Sequence, residues 1–351
     1  MRGRLGGIAL AALLTWLVGY PLLLTLLEAV GVPADPTLAH FAEFVSRPDE
    51  WAALWRSFWI SAASVALAGA VGVPLAFVFA RTHFPGRAVL GALVALPVAL
   101  PPLVGVIAFL FLYGESGFVT RGVQALLGLD DAPWRLQGAG AILLVHAYSM
   151  YVYFYLFVRA GLARLDPSVE EAAAALGAGR WRILTRVTLP LLRPALAGAA
   201  LLTFMTSLAS FSAPYIFGGG FRVMTTQIVA SKLNGEVAMA QVETVTLAAL
   251  ALAGLAGLLR LDRGRMEVVG GVRGLAPRRR VLRRPVARWG AAALGWGVAL
   301  VLLLPHLTLL LISLVPRSTW TVELLPPQLD LSNYRELLTT PERLRPVLNS
   351  L

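Results

Sequence analysis

Long apolar stretches alternate along the chain with short polar links marked by arginine. A helix needs about 20 mostly apolar residues to cross the hydrocarbon layer of a bilayer. Six charge-free stretches meet that length: Leu5–Leu27, Ser57–Ala80, Ala88–Gly114, Leu136–Val158, Pro194–Phe221 and Trp289–Pro316. A seventh, Thr244–Leu259, is short. It spans if Gln241 and Val242 extend it at the interface, and is otherwise a buried or re-entrant helix. The pattern predicts seven spans. The first follows Arg2 and Arg4, as a signal peptide would, but its apolar run exceeds the ~7–15 residues of a signal h-region. It reads as an uncleaved first helix.

Composition agrees with a membrane chain. Hydrophobic residues make up 58% of the 351 and charged residues 14%, against roughly 25% charged in soluble proteins. Such a chain cannot cover a water-facing surface. The absence of cysteine excludes disulfides, thiolate metal sites and thiol nucleophiles. The net charge of +11 is carried by arginine, Lys232 being the only lysine. With the N-terminus in the cytoplasm, twenty of the thirty basic residues fall on inside segments, ten of them between Arg260 and Arg288. Most acids, among them Asp35, Glu43, Glu115 and Glu323, fall outside, as the positive-inside rule requires. The run from Arg278 to Arg284 lies between two spans and is therefore a topology anchor facing anionic lipid, not a nucleic-acid site.

Pro97, Pro101 and Pro102 sit in the middle of the third stretch and must break its hydrogen-bond ladder. In a bilayer such a break survives only where protein or a water-filled cavity satisfies the freed carbonyls. The span either lines a translocation path or kinks for packing. Two outside segments align without a gap at a constant offset of 293: Leu38–Asp49 with Leu331–Glu342, pairing Phe41 with Tyr334, Glu43 with Glu336 and Pro48 with Pro341. The chain thus reads as one six-span unit followed by the opening of a second, truncated before that unit's second span.

The link between the fourth and fifth spans is long enough to be structured. Asp166 fits an N-cap, Pro167 the first helical position and Gly177 a C-terminal cap, giving a helix of about 10 residues. Val169, Ala172, Ala173 and Leu176 share one face. A second short helix mixes Arg180, Arg182 and Arg186 with Trp181, Ile183, Leu184 and Val187, and Pro190 and Pro194 end it. By composition this hairpin is either a docking knob or an amphipathic element lying on lipid.

The same link resembles the EAA motif of ATP-binding-cassette importer permeases: Glu-Ala-Ala, three residues, Gly, nine residues, Ile, one residue, Leu-Pro. Glu171, Ala172, Ala173, Gly177, Val187, Leu189 and Pro190 fall at every spacing, with Val187 standing for Ile. The resemblance implies an all-α polytopic bundle of the type I importer permease (MetI-like) fold in a bacterial inner membrane. It implies a loop that docks on two cytoplasmic ATPase subunits, with Glu171 as contact and Gly177 as hinge. An extracytoplasmic binding protein would deliver the solute. ATP would be bound by those partners, since one lysine, in Ser231-Lys232-Leu233, cannot build a P-loop here; the chain is no enzyme and holds no cofactor or metal of its own. A second permease chain, or the missing half, would supply a second loop.

Arg81-Thr82-His83-Phe84-Pro85-Gly86-Arg87 and Ser212–Gly219 resemble fused iron(III)-type permeases, with thiamine, phosphonate and polyamine permeases as the alternatives. The rival class is an ion-coupled secondary transporter, which would place carboxylates within spans; Glu28 and Glu243 lie only near span ends. A nonfunctional remnant is the remaining alternative. His146 and His306 have no partner visible in the sequence and are read as neutral helix contacts, and Ser207, Ser210 and Ser212 as packing residues. The organisation is a first span and outside segment over 1–53, a permease core over 54–261 with the loop at 166–190, a basic linker over 262–288, and the start of a second repeat over 289–351.

Overall fold

A computed structural model of the chain describes residues 2–32, 36–262, 280–281, 285–316 and 326–350. Asp35, Glu323 and most of the 262–288 linker lie outside the described residues. The first stretch forms α1 (Arg2–Leu14) and α2 (Tyr20–Ala29), joined by a π turn over Thr15–Gly19 just ahead of Pro21, which has no N–H for Leu17. A short α3 (Ala39–Ser46) precedes α4 (Pro48–Arg81), whose 34 residues reach about 51 Å at 1.5 Å per residue.

The third stretch is not one helix. It divides into α5 (Arg87–Leu93), a 3-10 turn over Leu96–Ala99 and α6 (Pro102–Tyr113), and α7 (Phe118–Leu127) follows. The prolines predict this break, and the fold repairs it. Gly91 and Val94 lose their regular helical donors because Ala95 and Val98 bond to Ala92 and Ala95 instead. Tyr155 donates to the Gly91 carbonyl at 3.0 Å and Tyr151 to that of Val94 at 2.5 Å. Both tyrosines come from α8 (Gly138–Arg164), the most enclosed span, with buried residues all around its circumference. Being hydrophobic on every side is what a central helix requires.

The link after α8 holds α9 (Pro167–Ala175), α10 (Arg180–Ile183), a π turn over Leu184–Thr188 and α11 (Leu189–Leu191). Next comes α12 (Arg193–Leu208), bent by 65° from the preceding helix where Pro194 cannot bond to Pro190. The expected span Pro194–Phe221 stops at Leu208 and resumes as α13 (Ser212–Phe217). The cause is Pro214, which leaves the Ser210 carbonyl without its helical donor; Thr225 donates to it at 2.7 Å. Beyond lie α14 (Met224–Leu233), α15 (Val237–Asp262), α16 (Pro285–Ser313), α17 (Ser332–Thr339) and α18 (Pro341–Leu348). The short seventh stretch is thus the 26-residue α15, long enough to cross. Among the described residues six helices are long and apolar enough to span, or seven with the bent pair. A two-residue parallel pairing of Thr82–His83 with Arg280–Val281 is the exception to an all-α bundle.

The bundle is organised on α4 and α8, against which α12 also packs. Gly72 makes their approach possible: a Cβ there would lie 2.3 Å from the Tyr151 carbonyl oxygen and 2.7 Å from Phe154 Cβ. Small residues at such crossings let backbones meet where lipid gives no hydrophobic drive between helices. Gly72→Ala is expected to cost about 1–3 kcal/mol by overpacking. Gly257→Ala, which enters open space, should leave stability level or slightly raised. Melting of the two purified variants in detergent checks this, and equal melting points would refute the close-approach argument.

Candidate functional site: the α9–α10 knob and the central cavity

Local sequence shapes the knob. The Asp166 side chain accepts from the Ser168 N–H at 2.9 Å, and that bond holds its carboxyl below the usual carboxylate range. At the other end Gly177 has φ +79°, the left-handed region that favours glycine. The Gly177 N–H bonds to the Ala174 carbonyl and the Ala178 N–H to that of Ala173, both at 3.0 Å. This paired closure is the Schellman pattern, and it turns the chain sharply into α10.

Of the face expected from the spacing, Val169, Ala172 and Leu176 are uncovered, while Ala173 is half-buried. Leu176 is 89% exposed and Trp181 75%, with Val169, Ala172 and Gly177 also on the surface. Glu171 is exposed, while Ala173, Val187, Leu189 and Pro190 are half-buried at the foot of the knob. The seven residues of the motif therefore divide between an outward tip and an inward root.

Sequence reasoning missed the residue that fastens the root. Glu170, not Glu171, turns inward: its Oε1 accepts from Arg81 Nη2 at 2.5 Å and from Thr188 Oγ1 at 2.5 Å. Burial pushes the Glu170 carboxyl up, but the bonds from Arg81 and Thr188 and the Arg81 charge outweigh it and hold the carboxyl below its ordinary value. The ion pair is thus formed at and above the ordinary glutamate range and is lost only as pH falls through the lowered value. Arg81 is the last residue of α4, so this contact joins the knob to the longest helix of the bundle. A groove of about 520 Å³ runs beneath α9, lined by Arg81, Glu170, Glu171, Arg180 and Thr188 among others. The available signal was the helical phase, which sets adjacent glutamates about 100° apart and so cannot send both to one surface.

A second feature lies mid-bundle. A cavity of about 710 Å³ opens between the broken third span, α8 and the break after α12, and Pro97, Pro101 and Pro102 form one wall. Opposite them stand Tyr148, Ser149 and Tyr153 of α8 and Thr206, Ser210 and Ser212. No Asp, Glu, Lys or Arg is among its lining residues. His146, read as a neutral helix contact with no partner visible in the sequence, has three. Its Nδ1 lies 2.9 Å from Ser64 Oγ and 3.1 Å from Ser207 Oγ, and its Nε2 lies 3.0 Å from Ser210 Oγ. The imidazole is 1% exposed and links α4, α8 and the α12 break. His306 Nδ1 meets the Tyr148 hydroxyl at 3.1 Å. Ser207 is a packing residue, as expected; Ser210 and Ser212 reach the cavity wall instead.

The family model for the inner membrane component of binding-protein-dependent transport systems matches residues 72–263. The probable ABC transporter permease protein y4fN of Sinorhizobium fredii is 30% identical over 302 residues, which are 86% of this chain and 53% of that protein. The ferric transport system permease protein FbpB of Actinobacillus pleuropneumoniae is 35% identical over 172 residues, 47% of this chain and 25% of that one. Permease proteins named for molybdenum transport in Escherichia coli and thiamine transport in Brucella abortus align at 36% and 30% identity over 48% and 78% of this chain, 72% and 49% of theirs. The chain thus spans about half the length of y4fN. A crystal structure of a bacterial ABC transporter involved in alginate import shares the fold at TM-score 0.62 and 19% identity, over 75% of this chain and 96% of that one. With its loop motif intact and its apolar helices in a common fold, this multi-pass membrane chain belongs to the binding-protein-dependent transport system inner membrane component family.

Proposed function

We propose that the chain is the permease subunit of an ATP-driven solute importer and that the α9–α10 knob is its drive contact. The observation that carries this reading is the knob's construction: an uncovered apolar tip, Leu176 and Trp181, on a root clamped to α4 through Glu170 and Arg81. A helix meant to lie on lipid would not need that clamp. Two cytoplasmic ATPase subunits grip the tips of two such knobs, one here and one on a second permease unit. That unit is another chain or a further half of which α16–α18 are the opening. ATP is bound and hydrolysed by those subunits. An extracytoplasmic binding protein delivers the solute at the opposite face, and the N-terminus is cytoplasmic.

Motion of the knob reaches α4 through the Glu170–Arg81 contact, and α4 flanks the His146 cluster beside the cavity. The cavity, walled by Pro97, Pro101 and Pro102, is the translocation path in this reading. Broken helices at mid-membrane supply free backbone groups to a solute where regular helices cannot. Iron(III) is the first solute to test, on the Arg81–Arg87 and Ser212–Gly219 segments and the FbpB likeness. Thiamine and molybdate are the parallel candidates, since relatives named for both align as well.

Three outcomes test the reading. The full chain, expressed with its operon partners, should retain a P-loop ATPase through purification, whereas Glu171→Arg and Gly177→Val should lose it; retention by all would remove the docking surface. Glu170→Ala should keep the ATPase bound yet lower solute-stimulated hydrolysis on the order of tenfold, the effect of ~1.4 kcal/mol of lost coupling. Loss of binding instead would make Glu170 part of the dock. Pro101→Ala with Pro102→Ala should depress uptake with docking intact, and unchanged uptake would reduce the break to a packing kink.

A further inference from the structure

Glu50 and Glu243 share an apolar pocket at the end of α4 opposite the knob. Glu50, in the first turn of α4, is 1% exposed and Glu243, on α15, 0%. Glu243 is thus not solvated at the interface, as its position near a span end suggested, whereas Glu28 is exposed and accepts from Gln241 at 2.5 Å. Gln227 Nε2 donates to Glu50 Oε1 at 2.9 Å, and Ser231 Oγ donates to Glu243 Oε1 at 2.6 Å. Both donors come from α14. The second oxygen of each carboxyl is buried and meets no donor, and Gln227 and Ser231, four residues apart on α14, hold the two carboxyls side by side along one helix face. Ala29, Phe44, Ala53, Met224, Met239 and Val242, on the same and adjoining helices, form a buried hydrophobic cluster.

Neighbouring charges do not neutralise the pair. Arg47 is engaged by Glu43 and by Glu236 at 2.8 Å, His40 lies beside Glu43, and Lys232 and Asp49 are exposed. Among the described residues no ion pair reaches either carboxyl. Two ionised carboxylates only accept hydrogen bonds, so their contact is attractive only with a proton between them. Like charges at such range, away from water, cannot both persist.

We propose that Glu50 and Glu243 form a proton-binding site, holding one proton between them and thereby clasping α4 to α15, with α14 supplying the flanking donors. A retained proton makes the pair one singly charged, hydrogen-bonded unit; its release puts two charges face to face across the α4–α15 contact. The site stands independently of the transport reading and concerns the end of α4 that the knob does not reach.

The purified full chain tests this without any partner. At pH 7 its infrared spectrum should carry the C=O stretch of a buried protonated carboxylic acid, and Glu50→Gln and Glu243→Gln should each abolish it. The unfolded chain releases glutamate protons above about pH 4.3, so a pair that keeps one makes folding bind an extra proton. Stability should therefore fall as pH rises from that point, by up to tenfold in the folding equilibrium per pH unit, until the fold itself lets go. Both glutamine variants should flatten that slope. An acid band missing from the wild-type spectrum, which needs no variant, would overturn the site. So would stabilisation of the wild type, but not the variants, by sodium or calcium at fixed pH, since a metal cation would then occupy the proton's place.

Discussion

Backbone groups freed inside a bilayer must find protein partners, and this requirement shapes the molecule more than any side-chain contact. Helices satisfy it along their length. Where proline interrupts them, the fold supplies substitutes from neighbours: tyrosine hydroxyls of α8 for Gly91 and Val94, the Thr225 hydroxyl for Ser210. The two breaks themselves, at Pro97–Pro102 and Ser210–Ser212, line one cavity. The breaks are therefore one arrangement, in which α8 serves the first while the second opens at the His146 cluster. A cavity lined by such elements offers dipoles and hydroxyls, with no Asp, Glu, Lys or Arg among its lining residues.

The helix α4 connects the parts. Its C-terminal end is held to the knob by Arg81, its middle touches α8 at Gly72 and the His146 cluster at Ser64, and its N-terminal end carries Glu50. Ser57, Ser61 and Ser64 bond back to the carbonyls four residues earlier. This satisfies their hydroxyls within the helix and leaves their oxygens free to accept from other elements, as Ser57 does from the Met224 N–H at 2.8 Å. The 34 residues run as one helix that joins these three contacts, with Pro74 inside it between Gly72 and Arg81.

Much of this was legible in the sequence because it depends on local rules. Apolar length gave the spans, Pro97, Pro101 and Pro102 gave the break in the third stretch, and Asp166, Pro167 and Gly177 gave the knob's helix and turn to within two residues, whereas the break at Pro214 lies inside an expected continuous span. The partners that decide function were less visible. Arg81 and Glu170 stand 89 residues apart, Ser64 and His146 82 apart, Glu50 and Gln227 177 apart, and nothing in a single sequence reports which distant polar residues a bundle brings together. Glu171 was singled out by its motif, while Glu170 was passed over because only tertiary packing distinguishes inward from outward on a helix whose exposed face is already apolar. Glu243 follows the same rule: its depth along a span is readable in the sequence, but the neighbour facing it is not.

The matched segments at offset 293 show how far local rules carry. Leu38 and Leu331 both precede a short helix with φ near −100°, −100° and −103° respectively. Arg47 and Thr340 both end it extended, at ψ 114° and 111°, and a proline then opens the next helix in each copy. The residue before proline is driven out of the α region by the ring, so the corner follows from Pro48 and Pro341 alone and needs no tertiary support. What differs is the cover. In the first copy the corner buries Phe44 against α15, while its counterpart Leu337 is only half-buried and Leu338 is exposed. No helix equivalent to α15 lies over α17 among the described residues. The corner is thus set by local sequence in both copies, whereas its burial depends on a neighbouring helix that local sequence does not specify.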